Sequence, residues 1–547
     1  SKTPRPGRLA GDMPKKLRID ASANSTRLDR YDLILALACF VASLALYIRT
    51  LTPGLLPGDS GEFQTLAYLL GHTHPTGYPV YLVLAKLATF LPLGDVAYRV
   101  NLFSATMGAL AVAAVYLSGR LLVKYRALAV VGAVVCAVSP TLWSQAVIAE
   151  IYTSGAAFLA LILLALLWWD QEDNPRALFI AGLLGGLSLG VHMSVAMLAP
   201  AVLLYLFLHW RRGVKMWTTA LLGVISGVLL TVFIFWLIDL INPTANYFNS
   251  IIEPSRSAWG LAADEIDGPL ERLLFGWSAR QFRSFMFANV PGVTSVQAAE
   301  YWANLAIELS WVVIALSILG AIALLVRRWR VGIFLLTALV LQLFYFFNYE
   351  IWDLYVFYIP SYVLLTLLAI AGMGAVADLG TVVLRGRGNP TQIRWRNLGL
   401  GIAVALLVLG FAVWPVFRPQ KDAVIAGEVP FNFDEYPVYD ESWQNFAIAA
   451  VVDMPKNAIV FTDWDLVWPY YYAAQILLVR RDLTFIETYP ADDVDGVADS
   501  MVEYAAINLT DHPIFFSERE RALLEAGFDF TPVRFGPARL FRVIAEK

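Results

Sequence analysis

A chain of 547 residues that is 58% hydrophobic and 15% charged, with a mean hydropathy of +0.61, reads as an integral membrane protein and excludes a water-soluble globular fold. Its apolar runs reach about twenty residues, the length a helix needs to cross a bilayer, and they recur many times. The net charge of −4 hides an asymmetry: residues 419–547 hold ten Lys and Arg against twenty-two Asp and Glu, and the rest holds thirty against twenty-two.

The spans are helices, because the runs lack period-two alternation and backbone in lipid must satisfy its own hydrogen bonds. In chain order eleven are expected, at 32–50, 99–122, 127–147, 151–169, 177–193, 195–209, 217–241, 303–326, 331–348, 354–377 and 397–417. Residues 1–30 form a basic, polar tail with no cleavable signal, since the first apolar run, Asp32 to Arg49, is long enough to stay as a span. The run 78–93 is short and carries Lys86 in its middle, so it is read as a re-entrant or surface-lying helix at the outer interface. All basic clusters then share one side: the tail, Arg120/Lys124/Arg126, Arg211/Arg212/Lys215, Arg327/Arg328/Arg330 and Arg385/Arg387/Arg394/Arg396. The positive-inside rule makes that side the cytoplasm and puts the acidic C-terminal region outside. The loop 170–176 (DQEDNPR) is acidic and fits this side poorly. Cys39 and Cys136 both lie in apolar runs, so neither a disulfide framework nor a thiolate metal site is available.

Directly after the first span comes PGDSGEFQTLAYLLGHTHPTGYP (57–79), which gathers Asp59, Glu62, His72 and His74. One reading is local: Asp59 caps a helix starting at Gly61, Glu62 sits in its first turn, and HPTGYP is a proline-rich turn. The other is chemical, with a carboxylate at the water–membrane boundary acting as a general base. The same parity brings Arg99, Glu150, His192, Glu350 and Asp353 to the outer ends of spans or to outer loops.

The long outer loop 242–302 contains LERLLFGWSARQFRSFMF (270–287), where Arg272, Arg280 and Arg283 alternate with aromatic residues. It reads either as an interfacial amphipathic helix or as a phosphate site whose guanidinium groups match phosphate oxygens. Beyond residue 418 the character changes: 458–463, 483–488, 513–518 and 538–545 read as strands, with helices near 464–478, 496–507 and 519–526, a small α/β domain. DWD at 463–465 is a candidate metal-binding pair, or a strand end running into a helix N-cap.

PGDSGEF, HPTGYPVY and AYRVNLFSATMGAL resemble the amino-terminal signature of the GT-C membrane glycosyltransferases, and among them a protein O-mannosyltransferase-like family. That family is mostly bacterial, with animal relatives that O-mannosylate plexin-type immunoglobulin-like domains. SQAVIAEIY (144–152), GLSLGVHMS (186–194), SARQF (278–282) and NYEIWDLYVFYIP (348–360) extend the resemblance over nearly the whole chain from Tyr31. The family pattern HPPGYP is HPTGYP here, which keeps the histidine and the glycine.

The resemblance implies a GT-C transmembrane domain over 31–418, with a catalytic first outer loop at 57–98, and an extracytoplasmic α/β domain over 419–547. It also implies a transferase taking mannose from a polyprenyl-phosphate carrier to a protein or glycan hydroxyl at the outer face, with Asp59 as base and Glu62 beside it. Substrate contacts are expected from His74, Tyr78, Glu150, Tyr152, His192 and Asp353, and phosphate contacts from Arg280 with Arg99 or Arg283. Since a lipid phosphate is already a competent leaving group, no metal or cofactor is expected, and direct attack inverts configuration. The alternatives are a transferase or ligase acting on lipid-linked glycan, and a polytopic transporter; the chain shows no internal repeat.

Overall fold

The structure is a computed structural model describing residues 27–262, 264–288, 290–351, 353–383, 390–426, 442–488 and 496–545. Among these, eight helices are long and apolar enough to cross a membrane: Arg30–Arg49, Val96–Leu122, Tyr152–Glu172, Val214–Ile241, Val290–Arg327, Trp329–Phe346, Leu354–Val383 and Trp395–Ala426. A ninth arises if the pair Arg126–Ala137 and Pro140–Ala146, bent by 66°, counts as one span. The bend falls where Pro140 removes a backbone donor. The buried Glu308 side chain accepts there from Ser139 Oγ at 2.6 Å and from the N–H and hydroxyl of Thr141. The two remaining expected spans, 177–193 and 195–209, are the shorter helices Pro175–Ser188 and Met193–Leu208. Run 78–93 yields the ten-residue helix Pro79–Ala88.

Close helix crossings depend on small residues. In Pro175–Ser188, a Cβ added at Gly182 or Gly186 would stand 2.5 Å from the carbonyl oxygen of Ala220 or Val224 on the facing span. Such contact lets backbones approach where lipid offers no hydrophobic gain for association.

The charged residues at one end of the bundle pair with each other. Asp32 accepts from Arg120 and Arg126, Asp378 pairs with Lys124 and Arg327, and Asp170 pairs with His209, Arg212 and Arg328. The acidic 170–176 loop that sits awkwardly among basic clusters is thereby explained: Asp170 and Asp173 are partners of those clusters. The tail to residue 26, Arg385 and Arg387 lie outside the described residues.

The C-terminal region folds as a five-stranded sheet of β1 (Ile459–Thr462), β2 (Thr484–Glu487), β3 (Ile514–Phe516), β4 (Phe528–Phe535) and β5 (Ala538–Ala545), ordered β2-β1-β3-β5-β4. β1 runs parallel to β2 and β3, and β5 runs antiparallel to β3 and β4. Four strands match the sequence reading. The fifth, β4, contains Pro532 and alternates weakly in burial, which suits an edge strand and hides it from a pattern search. The segment after β1, helix Trp464–Tyr471 with its π-helical continuation Tyr472–Leu477, docks the sheet onto the membrane domain. Thr65 Oγ1 donates to the Trp468 carbonyl at 3.2 Å, the Ala97 N–H donates to the Tyr472 hydroxyl at 3.0 Å, and Ser250 Oγ donates to the Tyr471 hydroxyl at 3.1 Å.

Two neighbouring glycines separate packing from propensity. Gly186→Ala should lower stability by about 1–3 kcal/mol through the clash with Val224. Gly185→Ala, with nothing within 4 Å of its Cβ, should be neutral or stabilising by up to about 1 kcal/mol. Thermal unfolding in detergent measures both, and equal effects would contradict the crossing.

Candidate active site

The helix after the first span runs Gly58–Leu69, starting three residues earlier than the capping reading requires. Its N-cap is Pro57, which offers no side-chain bond, so Asp59 lies inside the first turn and is not the cap. There the helix dipole favours its negative charge. Its Oδ1 accepts from the Trp464 indole Nε1 at 2.8 Å, and the side chain remains 40% exposed.

One turn on, Glu62 is fully buried. The helix ends at Leu70 in the left-handed conformation, and the chain doubles back through GHTHPTGYP. That reversal lays His74 over the helix: Glu62 accepts from the His74 backbone N–H at 2.8 Å and from its Nδ1 at 2.5 Å. His74 Nε2 then lies 3.3 Å from the Tyr78 hydroxyl and 3.9 Å from Asp59 Oδ2. Burial opposes a charge on His74, but the carboxylates of Glu62 and Asp59 outweigh it and raise its pKa to about 9. An imidazolium thus bridges two carboxylates.

A second group stands beside the first. Ser60 Oγ donates to Glu150 Oε1 at 3.3 Å, and the Glu150 N–H and C=O are both tied to Ser104 Oγ at 3.2 Å. Burial, reinforced by the Asp59 charge, raises the Glu150 pKa well above the usual carboxylate range. The Tyr152 hydroxyl donates to Asp353 Oδ2 at 3.2 Å. Its ring meets His192 edge-on at 5.2 Å, and His192 lies near-parallel to Tyr78 at 6.4 Å. The Nδ1 of His192 lies 2.5 Å from Ser194 Oγ.

The arginines are placed differently from expectation. Arg99 donates to the carbonyls of Leu93, Thr89 and Gly94, and none of its hydrogen bonds reaches the Asp59 group. It fastens the end of the Pro79–Ala88 region to the next span. Arg283 donates to the Ser278 carbonyl, and Arg272 grips Asp239 with two nitrogens. Arg280 pairs with exposed Glu265 at 2.6 Å. The SARQF segment joins the site through Gln281: the Tyr247 hydroxyl donates to its Oε1 at 2.9 Å, and the Tyr247 ring is 6.4 Å from His74.

Three contributors escape sequence reading. Trp464 and Glu487 come from the C-terminal sheet region and Tyr247 from the long loop. Glu487, at the end of β2, is raised to about 8 by burial and by the charges of Glu62 and Asp59. Asp463 of the DWD motif caps its helix, accepting from the Leu466 N–H at 3.0 Å. Among the described residues no group of three or more His, Cys, Asp or Glu is placed to hold a metal ion.

Comparison with solved structures decides the architecture. ArnT from Cupriavidus metallidurans, in the apo state, covers 93% of this chain and 97% of its own, with a TM-score of 0.50 at 12% identity. The fold is that of the GT-C membrane glycosyltransferases. Residues 59–216 of this GT-C chain match the protein O-mannosyl-transferase TMEM260 N-terminal domain family, a match that opens on Asp59 and takes in Glu62, His74, Glu150 and His192. Protein O-mannosyl-transferase TMEM260 of Mus musculus is 31% identical over 159 residues, 29% of this chain and 23% of the relative. Its counterpart in Dictyostelium discoideum is 21% identical over 336 residues, 56% of this chain and 39% of the relative. The chain therefore spans well under half the length of the curated relatives it matches.

The His74 pKa gives a pH signature. Raised above the ordinary histidine value of 6.5, it contributes stability that is full below pH 6.5 and is lost as pH rises through about 9. Wild type should lose thermal stability over that window, and His74→Asn should show a flatter profile from a lower starting point. Parallel profiles would contradict the ion pair.

Proposed function

We propose that this protein is a membrane glycosyltransferase that moves mannose from a polyprenyl-phosphate carrier to a protein Ser or Thr hydroxyl at the outer face. The observation that carries the reading is the state of Asp59: its carboxylate is 40% exposed beside Glu62 and Glu150, which are buried. A base must meet the acceptor, and Asp59 is placed to do so. The names of the TMEM260 relatives and the GT-C fold support the same reaction class.

In the proposed step Asp59 accepts the acceptor hydroxyl proton while the acceptor oxygen attacks the anomeric carbon. The bond from that carbon to the phosphate oxygen breaks, its electron pair leaves with the polyprenyl phosphate, and configuration inverts. Glu62 holds His74, which sets a positive charge 3.9 Å from the Asp59 carboxylate. Glu150, with the Tyr152–Asp353 pair and Tyr78, faces the sugar hydroxyls. Arg280 takes the phosphate by exchanging its exposed partner Glu265 for it. No metal or cofactor enters this scheme. The paired cationic end of the bundle lies in the cytoplasm with the N-terminus, and the sheet domain lies outside.

The test is mannosyl transfer from a short-chain polyprenyl-phosphate mannose to a Ser/Thr peptide pool or to water, in EDTA, with donor binding measured alongside. Wild type should turn over, and Asp59→Asn should bind donor normally while losing roughly 100- to 10,000-fold in kcat. Undiminished turnover by Asp59→Asn would refute the assignment of the base.

A further inference from the structure

We infer that Trp464 is a positioning residue for the base, so that the outer domain completes the catalytic centre and does more than capture an acceptor. The inference rests on the reading of Asp59 as that base. An aspartate in the first turn of a helix, 40% exposed and bonded to no backbone N–H of its own turn, has two equivalent oxygens and free rotation about its last torsion. The indole removes that freedom. Its N–H, 2.8 Å from Oδ1, fixes the carboxylate plane and leaves Oδ2 on the side of His74 Nε2, 3.9 Å away.

The choice of an indole is chemically apt. Its N–H is a donor only, so it can neither compete for the acceptor's proton nor accept one from Asp59.

Trp464 is itself held firmly. It opens a helix capped by Asp463, packs edge-on against Trp468 at 5.7 Å, and touches the rings of His74 at 6.1 Å and Tyr247 at 6.2 Å. Through Thr65 and Ala97 the same helical segment is fastened to the first outer-loop helix and to the start of the next span. Gly61 lies against it too, since an added Cβ would meet Pro469 at 3.3 Å. Docking of the sheet domain and orientation of the base are therefore one event.

Trp464→Phe keeps an aromatic ring and deletes the donor. In the assay above, donor binding should stay within about twofold of wild type, while kcat falls roughly ten- to a hundredfold. The loss should fall on kcat and leave the acceptor KM within about twofold, because the bond lost orients the base and binds no substrate. An unchanged kcat, or an effect confined to the acceptor KM, would overturn the inference. If the phenylalanine variant does not fold, benzothienylalanine at position 464 preserves the bicycle and removes only the N–H, with the same outcomes expected. Asp59→Asn distinguishes the two levels: an active Asp59→Asn removes the base and the inference together. An inactive Asp59→Asn beside a Trp464→Phe that matches wild type removes the inference alone.

Discussion

A charge withdrawn from water inside a membrane protein needs an opposite charge within hydrogen-bond reach, and the pairing of Glu62 with His74 meets that need at the centre of this site. The pair joins the buried face of one short helix to the turn that returns over it, and so shapes the whole 57–79 segment. With Glu62 on Nδ1, the other ring nitrogen is free to face Tyr78 and Asp59. Charge and ring orientation thus follow from a single contact, and the exposed carboxylate inherits a cationic neighbour.

Around that centre the molecule separates its polar groups by depth. At one end of the bundle Asp32, Asp170 and Asp378 pair with arginine, lysine and histidine. At the other, acids, imidazoles and aromatic hydroxyls meet under the sheet domain. Between the two ends the spans pack through glycine and apolar contacts, and Glu308 at the bend before Pro140 is tied to two hydroxyls and an N–H. Such a layout suits chemistry at one surface.

The sheet domain belongs to the site physically. Its first strand ends at Thr462, its docking helix begins at Trp464, and its second strand ends at Glu487, close enough to feel the charges of Glu62 and Asp59. Strand ends and helix starts on one edge of a sheet point the same way, which is how residues with no special pattern come to line the opening.

Much was legible in the chain itself. Hydropathy determined where apolar helices run, and short β-branched and aromatic runs marked four strands, because both report local burial that each residue expresses alone. Clustering of Asp59, Glu62 and His74 within one short segment marked the site, since residues twelve apart across a tight turn must lie close. Span count was less legible: Pro175–Ser188 and Met193–Leu208 are apolar but short, and apolarity does not report length in a folded helix. Residue type did not give the arginines' partners, because a guanidinium suits phosphate and backbone carbonyls equally. Only tertiary structure decided that Arg99 would hold three carbonyls and that Trp464, 405 residues from Asp59, would meet it. Pattern encodes which face a residue turns inward; packing of distant elements selects the partner it finds there.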